Sequence, residues 1–281
     1  MIKLSDGNSI PQIGFGTYKS THETGKQAII EALEVGYRLI DTAEKYENEA
    51  TIAAAIHASS IPREELHLTS KLWRDNLGYK KTKSALESSL RRLKTDYLDS
   101  YLIHWPANEK NFPNWKEVNS ESWQALIELQ QEGKIKSIGL SNFWSKELSA
   151  LLAQTDTKPA INQIEFHPGF IQADLLELCQ KESIQVQAWS PLARGRILQE
   201  PLLLKLADKY QKSITQICLR WIIQHQVIPI PKSTHKSRME ENIAVFNFQL
   251  TTEDMQAIDA LPFSGFSGEK PDIWPDRLAS N

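Results

Sequence analysis

The chain has 281 residues, of which 41% are hydrophobic and 24% are charged, and its formal net charge is −3 at pH 7. This composition is that of an ordinary globular protein, and it excludes a disordered or collagen-like chain. The small negative charge argues against a broad electrostatic attraction to nucleic acid or to an anionic membrane. No apolar run reaches the ~18 residues of a membrane span, and the start of the chain lacks the apolar stretch of a signal peptide. We therefore expect a cytoplasmic protein that has neither nucleic acid nor a membrane as a partner.

Eight short apolar segments alternate with longer segments of helical period. The eight segments lie at about 14–18, 37–42, 66–72, 98–105, 135–140, 161–166, 184–189 and 227–231. Such alternation is typical of βαβ units around a parallel sheet, and eight strands are the number that closes a (β/α)8 TIM barrel. The sequence therefore predicts an α/β fold with a single barrel domain over residues 1–281. Pro229 and Pro231 fit the eighth strand poorly, because proline removes a donor from the ladder of backbone hydrogen bonds.

Three additions to the simple barrel are predicted. The turn signal Asp6-Gly7-Asn8 indicates a small β-hairpin before the first barrel strand. Two extra helices, at about 202–211 and 252–261, do not fit the alternation, and the second opens with the helix-start sequence Thr-Thr-Glu-Asp. Residues 262–281 carry proline, glycine, serine and large aromatic residues without period, which predicts an irregular C-terminal flap acting as a substrate loop.

The two cysteines, Cys179 and Cys218, lie in stretches of helical period. They form no C-x-x-C pair and have no neighbouring residues at the spacing of a zinc site. We expect both to be small buried hydrophobic side chains, and we expect no metal site.

Polar residues follow the second, third and fourth predicted strands, where the active site of a barrel lies. They are Asp41, Tyr46, Lys71 and His104. Each also has a purely structural interpretation. Asp41 could cap a helix, Tyr46 could be packing, Lys71 could be a solvated strand end, and His104 could be a core histidine with satisfied hydrogen bonds. Taken one at a time, these residues leave both interpretations open.

The combination of segments resembles one known family. The segments are GFGTY, YRLIDTAEKYENE, LTSKLW, YLIHWP, GLSNF, NQIEFHP, AWSPLARG and IPKSTHKSRMEEN. Their order and spacing are similar to those of the aldo-keto reductases, over residues 1 to about 262. The resemblance implies that Asp41, Tyr46, Lys71 and His104 form a catalytic tetrad for the NADPH-dependent reduction of aldehydes or ketones.

The chemistry of carbonyl reduction needs these residue types. Hydride addition leaves negative charge on the carbonyl oxygen, which must be protonated as it develops. Tyr46 can supply the proton, and we expect the Lys71 ammonium to lower the pKa of this phenol from its ordinary value of about 10. Asp41 would keep the buried lysine charged. His104 would donate a hydrogen bond that orients the carbonyl group.

The chain has no G-x-G-x-x-G dinucleotide fingerprint, as the resemblance leads us to expect, because aldo-keto reductases hold the dinucleotide over the barrel mouth. The matching cofactor positions are Thr17, Ser141, Asn142, Gln163, Trp189, Ser190, Leu192, Lys232, Ser233, Thr234, Arg238, Glu241 and Asn242. Among them, Lys232, Ser233, Thr234 and Arg238 in the basic turn at 232–238 match the residues that hold the adenosine 2′-phosphate, and 241–242 match those that hold the adenine. Positions 141, 142 and 163 match the residues that hold the nicotinamide carboxamide. Without the resemblance, the basic turn could be only a capped helix with solvated charges, and Ser141-Asn142 could be only a helix cap.

Trp189 matches the aromatic residue that stacks on the nicotinamide ring. Many relatives have tyrosine there, so the chain looks more like the short bacterial branch that includes the diketogluconate reductases. Substrate-binding residues are predicted at Tyr18, Trp73, Trp105 and Trp274. An aromatic pocket suits apolar carbonyls and also sugars, and Trp105 could equally be core packing.

Two other functions are weighed against this one. A barrel glycoside hydrolase could use two strand-end carboxylates, Asp41 and Glu165, but it leaves Lys71, Tyr46 and the basic turn without a role. An NADPH-binding regulatory module such as the potassium-channel β subunits shares the fold. The intact tetrad favours a free enzyme, and we expect a monomer whose partner is a small carbonyl substrate.

Overall fold

The computed structural model describes residues 1–272. The strands are β1 (Ile2–Lys3), β2 (Ser9–Ile10), β3 (Phe15–Gly16), β4 (Leu39–Asp41), β5 (His67–Leu72), β6 (Leu98–Ile103), β7 (Ile135–Ser141), β8 (Ile161–Glu165), β9 (Gln185–Trp189) and β10 (Ile228–Pro229). The helices are α1 (His22–Val35), α2 (Glu49–Ser59), α3 (Tyr79–Leu93), α4 (Trp115–Gln131), α5 (Ser145–Leu152), α6 (Ala173–Lys181), α7 (Pro201–Tyr210), α8 (Ile214–Gln224), α9 (Lys236–Ile243) and α10 (Thr252–Asp259). None of the helices in this part of the chain is long and apolar enough to span a bilayer.

Strands β3 to β10 form one parallel sheet in sequential order. Its two edges are joined, because the Gly14 N–H donates to the Pro229 carbonyl (3.0 Å) and the Gly16 N–H donates to the Pro231 carbonyl (2.9 Å). The sheet therefore closes into a barrel. The predicted (β/α)8 fold is confirmed, and each of the eight strands overlaps its predicted segment.

The last strand accommodates its prolines because successive residues of a strand point their backbone N–H and C=O groups to opposite neighbouring strands. Pro229 and Pro231 present their carbonyls to β3, whereas the Ile230 N–H between them donates to the Ala188 carbonyl in β9 (3.0 Å). The missing donors fall only on the side facing β3, where the proline carbonyls make the bonds. Proline shortens this strand without opening the barrel.

The predicted additions are present. β1 pairs antiparallel with β2 across the predicted turn, and Gly7 adopts the positive φ of 87° that this turn needs. Leu4 and Ile10 of the hairpin pack with Leu39 and Leu102 from the barrel strands. The two extra helices are α7 and α10. Residues 262–272 are irregular, as expected for the flap, and residues 273–281 lie outside the described part of the chain.

The helices bury the stripes that their sequences predict. In α3, Leu86, Leu90 and Leu93 are buried against the barrel. Cys179 and Cys218 are buried free thiols, and burial raises their pKa values to about 11 and about 12 respectively. Both cysteines therefore behave as the small hydrophobic residues that we expected.

His67 gives the fold a defined acid sensitivity. It begins β5, is 7% exposed, and its Nε2 lies 2.8 Å from the Ser100 hydroxyl. Burial lowers the pKa of His67 from 6.5 to about 4. Between these two values the unfolded chain binds a proton that the folded chain does not, so stability falls as the pH falls. Below pH 4 both states are protonated and this loss is complete.

We expect the free energy of unfolding to fall by roughly 3 kcal/mol between pH 6.5 and pH 4 through this residue alone. The variant His67→Gln should lack this part of the pH dependence in urea unfolding curves collected across that range. His57→Gln makes the same substitution at an exposed position of α2 and should keep the wild-type pH dependence. An unchanged pH dependence in His67→Gln would contradict the assignment.

Candidate active site

The four predicted catalytic residues meet at the carboxyl end of the barrel. Asp41 ends β4, Lys71 lies in β5, and His104 directly follows β6, so the parallel strands bring their side chains to one rim. Tyr46 reaches the same place from a short 3₁₀ turn at Glu44–Tyr46. The Lys71 Nζ lies 5.2 Å from the centre of the Tyr46 ring, and the Tyr46 and His104 rings are 5.6 Å apart in an edge-to-face arrangement.

The Lys71 ammonium is fully buried and held by two acceptors. Its Nζ donates to Asp41 Oδ2 (2.6 Å) and to the Thr42 carbonyl (2.8 Å). Burial lowers the pKa of Lys71, and the Asp41 carboxylate opposes that effect. Asp41 also accepts a hydrogen bond from Gln163 Nε2 (2.7 Å). The helix-cap interpretation of Asp41 and the solvated-end interpretation of Lys71 are therefore wrong.

The pKa of Tyr46 moves in the direction opposite to our expectation. Burial raises it well above its ordinary value of 10, and the Asp41 carboxylate raises it further, against a smaller opposing effect of Arg194. The expectation fails because burial penalises the charged phenolate, and because the Asp41 carboxylate, 2.6 Å from the Lys71 Nζ, offsets part of the effect of the ammonium. At neutral pH the phenol therefore keeps its proton.

His104 is neutral at physiological pH. Burial, and then the nearby Lys71 charge, hold the pKa of this imidazole well below its ordinary value. The ring lies edge-on between Tyr46 and Trp73, whose ring centre is 5.3 Å away. Its Nδ1 has no hydrogen-bond partner among residues 1–272. A neutral imidazole carries one N–H and can donate it to an acceptor in the site.

The residues predicted to hold a carboxamide form a connected set. The Asn142 side chain donates to the His104 carbonyl (2.9 Å) and to Ser141 Oγ (3.0 Å), and it accepts from Trp189 Nε1 (2.7 Å). Gln163 donates to Asp41 and to Gln187 Oε1 (3.0 Å). Within residues 1–272 no bond is assigned to the Ser141 hydroxyl proton or to the Gln163 Oε1 acceptor, and one donor with one acceptor is complementary to an amide. Ser141 and Asn142 do not cap the following helix, α5, whose N-cap is Trp144.

The basic turn lies where β10 leads into α9. Lys232, Thr234 and Arg238 are exposed there, whereas Ser233 is buried and its Oγ accepts from the His235 N–H (3.0 Å). His235 is the N-cap of α9 and offers no side-chain acceptor to the first turn of the helix. Exposed cationic side chains therefore lie within a few residues of the uncapped start of a helix, which is the composition of a phosphate site.

The two predicted adenine residues differ in how well their hydrogen bonds are satisfied. Asn242 is buried, and its Oδ1 has no partner within the described part of the chain. A buried amide oxygen without a partner fits a site completed by a donor from a ligand. Glu241 accepts from the Ser213 hydroxyl, which holds its carboxylate at the start of α8.

The remaining predicted cofactor positions border the same rim. Thr17 is buried and its hydroxyl donates to the Asp41 carbonyl (2.9 Å). Ser190, with a positive φ of 48°, opens the loop after β9, and Leu192 is half-buried in it. The next residues, Ala193 and Arg194, also have positive φ values, of 47° and 54°. Backbone strain in this loop is typical of a segment shaped for a ligand.

The predicted substrate residues lie at different depths. Trp73 and Trp105 are buried, at 5% and 3% exposure. The ring of Tyr18 is 5.0 Å from that of Tyr46, and Tyr18 is 53% exposed. Trp274 lies outside the described residues. Tyr18 and Trp73 are therefore the aromatic side chains that contact tetrad residues, while Trp105 is also consistent with core packing.

Sequence reasoning missed several residues that position the site. The Asn48 side chain accepts from the Thr42 hydroxyl (2.7 Å) and donates to the Thr17 carbonyl (2.8 Å), which ties the tetrad loop to β3. Gln187 supports Gln163. Gln187 precedes Trp189 by two residues and so shares its face of the strand, a signal that was available in the sequence. Asn48 lies in an irregular turn and carried no such signal.

Comparison with known proteins agrees with this geometry. The model of the Aldo/keto reductase family matches residues 12–262. The chain is 43% identical over 274 residues to the glyoxal reductase of Bacillus subtilis, covering 96% of each sequence. It is 42% identical to the methylglyoxal reductase DkgA of Salmonella typhimurium, covering 97% of each. The crystal structure of a Bombyx mori aldo-keto reductase in complex with NADP superposes with a TM-score of 0.87 at 38% identity, covering 98% of this chain and 96% of that one.

Proposed function

Because the chain belongs to the aldo/keto reductase family, we propose that it reduces aldehydes or ketones to alcohols with NADPH as the hydride donor. The observation that carries the proposal is the buried Lys71–Asp41 ion pair beside the Tyr46 phenol and the His104 imidazole. Family membership contradicts the glycoside-hydrolase alternative. The two carboxylates that a hydrolase would use also accept hydrogen bonds from other side chains, Asp41 from Lys71 and Glu165 from Ser267.

Tyr46 is the proton donor. Its raised pKa keeps the phenol protonated at neutral pH, which is the form that a general acid needs. The Lys71 ammonium stabilises the phenolate that forms as the proton leaves, and Asp41 holds this ammonium in place without access to water. His104, neutral and buried, donates its single N–H to the carbonyl oxygen and so orients the substrate.

The proposed cofactor fits the unsatisfied groups of the site. NADPH supplies the hydride when it is bound. The Ser141 hydroxyl and Gln163 Oε1 hold an amide, and Trp189 offers an aromatic face beside them. The exposed Lys232 and Arg238 with the start of α9 hold a phosphate.

The aromatic side chains of Tyr18 and Trp73 beside the tetrad and the names of the relatives support one substrate class. Glyoxal and methylglyoxal are α-dicarbonyls, and the two relatives above are named as their reductases. We propose α-dicarbonyls as substrates of this chain. The test follows the decay of NADPH absorbance with glyoxal, methylglyoxal, simple aldehydes and keto-sugars. NADPH binding without turnover of any carbonyl would contradict the proposal and favour the regulatory NADPH-binding module.

Arg238 is expected to set the preference for NADPH over NADH. A charge-assisted hydrogen bond to the 2′-phosphate contributes about 1.5–3 kcal/mol, so Arg238→Ala should raise the Kd for NADPH by about 10- to 100-fold. The Kd for NADH, which lacks this phosphate, should change by less than about twofold. Titration of each nucleotide against protein fluorescence measures both constants.

The matched control is Lys236→Ala. It removes a positive charge from the same turn, but from a side chain that is paired with Glu34 at 2.8 Å. This variant should bind NADPH nearly as tightly as the wild type. Equal losses of NADPH and NADH affinity in Arg238→Ala would overturn the assignment of the 2′-phosphate site.

A further inference from the structure

A buried carboxylate at the barrel mouth has no part in the proposed chemistry. Glu165 ends β8 and is 2% exposed. Its Oε2 accepts from the Ser267 hydroxyl (2.6 Å), and its Oε1 accepts from the Ser267 backbone N–H (3.0 Å). A carboxylate removed from water is stable only when it is hydrogen-bonded or paired. Both of these donors belong to residues 263–272, here called the C-terminal segment.

Two further side chains join Glu165 to the C-terminal segment. The Arg196 Nη2 lies 3.9 Å from Glu165 Oε1 and donates to the Gly265 carbonyl (2.6 Å). His167 Nε2 lies 3.3 Å from the same Oε1. A Cβ on Gly265 would come within 2.9 Å of Ala193 and 3.0 Å of His167, so the segment packs here without room for a side chain. The buried carboxylate therefore lies beside a tight contact between the segment and the barrel.

The C-terminal segment spans from one loop of the rim to another. Glu269 pairs with Arg194 in the loop after β9 (2.9 Å), and the Arg194 guanidinium lies 5.8 Å from the Trp189 ring centre. The Pro271 carbonyl accepts from Asn108 in the loop after β6 (2.7 Å). The segment thus borders the proposed cofactor and substrate positions, and Ser267 lies in the chain between the attachments at Gly265 and Glu269.

We propose that Glu165 is a positioning residue for the substrate pocket, whose carboxylate fixes the C-terminal segment across the barrel mouth. This inference rests on the proposed function, because it assigns the segment to the substrate side of a carbonyl reductase. Loss of the carboxylate frees the segment and weakens substrate binding. Proton transfer from Tyr46 to a bound substrate is unaffected, because the Lys71–Asp41 pair does not depend on Glu165.

The kinetic test compares variants on both sides of the contact. Glu165→Gln should raise KM for the carbonyl substrate by about 5- to 20-fold while kcat and the Kd for NADPH change by less than about twofold. Ser267→Ala should act in the same direction with a smaller effect, and Ser267→Thr, which keeps the hydroxyl, should restore the wild-type KM. The double variant Glu165→Gln/Ser267→Ala should lose less than the sum of the two single losses, because the residues share one contact, although the Ser267 hydroxyl also accepts from the Glu269 N–H.

A second readout does not depend on activity. Hydrogen–deuterium exchange of the backbone amides at 263–272 should speed up in Glu165→Gln, while exchange in β5 and β6 should stay as in the wild type. This measurement decides the anchoring role even where the wild-type protein reduces no carbonyl and the proposed function fails. Unchanged exchange at 263–272 would overturn the inference. So would losses shared equally by kcat, substrate KM and NADPH affinity, because these indicate general structural damage.

Discussion

Replacing Tyr46 with phenylalanine is expected to lower kcat for carbonyl reduction by about 10²- to 10⁴-fold, the range of a lost general acid. The substitution removes only the hydroxyl, so the ring contacts with Tyr18 and His104 persist. The Lys71–Asp41 pair also persists, because neither of the two hydrogen bonds of Lys71 goes to the phenol. The variant should therefore bind NADPH with wild-type affinity while the NADPH absorbance hardly decays in the presence of substrate.

Tyr79→Phe is the matched control. Tyr79 begins α3, and its hydroxyl donates to Glu128 in α4, in the outer layer of helices. The variant should therefore keep the wild-type kcat. A Tyr46→Phe protein that reduces carbonyls at the wild-type rate would remove Tyr46 from the role of acid. A Tyr46→Phe protein that also loses NADPH binding would indicate a structural role for the phenol instead.

The positions of the tetrad could be predicted because strands that follow one another in the sequence are neighbours in a parallel barrel. Asp41, Lys71 and His104 each follow an apolar run, and the carboxyl ends of parallel strands meet at one rim. Their distances could not be predicted, and neither could the pKa of Tyr46. The sequence indicates that a lysine is near the phenol, but only the folded chain buries that phenol and places Asp41 at 2.6 Å from the lysine, and both effects raise the pKa of Tyr46.

The contacts of the C-terminal segment lay beyond sequence reasoning for a different reason. Glu165 and Ser267 are 102 residues apart, and Arg194 and Glu269 are 75 residues apart. The segment has no period that would mark a buried face, so each pairing depends on loop conformation alone. The sequence predicts an irregular flap there, and the residues that hold it emerge only from the fold. From sequence alone Glu165 is also a candidate glycosidase carboxylate, whereas in the structure it is hydrogen-bonded to Ser267 of this flap.

The variant Lys71→Met is expected to cost both stability and rate. It leaves the Asp41 carboxylate buried at 4% exposure without its cation, and an unpaired buried charge costs about 3–5 kcal/mol of unfolding free energy. Gln163 Nε2 continues to donate to Asp41, but a neutral amide does not replace the ammonium. Urea unfolding at pH 7 measures the loss of stability, and NADPH consumption by the folded fraction should fall by about 10²-fold or more because phenolate formation is no longer stabilised.

The double variant Asp41→Asn/Lys71→Met separates these two effects. It removes the buried charge together with its partner, and an uncharged pair of similar size can be as stable as the ion pair that it replaces. Stability should therefore return to within about 1–2 kcal/mol of the wild type, while the rate remains as low as in Lys71→Met. A double variant that is as unstable as Lys71→Met would show that the loss comes from packing and not from an uncompensated carboxylate. Recovery of rate together with stability would mean that the ion pair holds the fold and leaves the chemistry to Tyr46 alone.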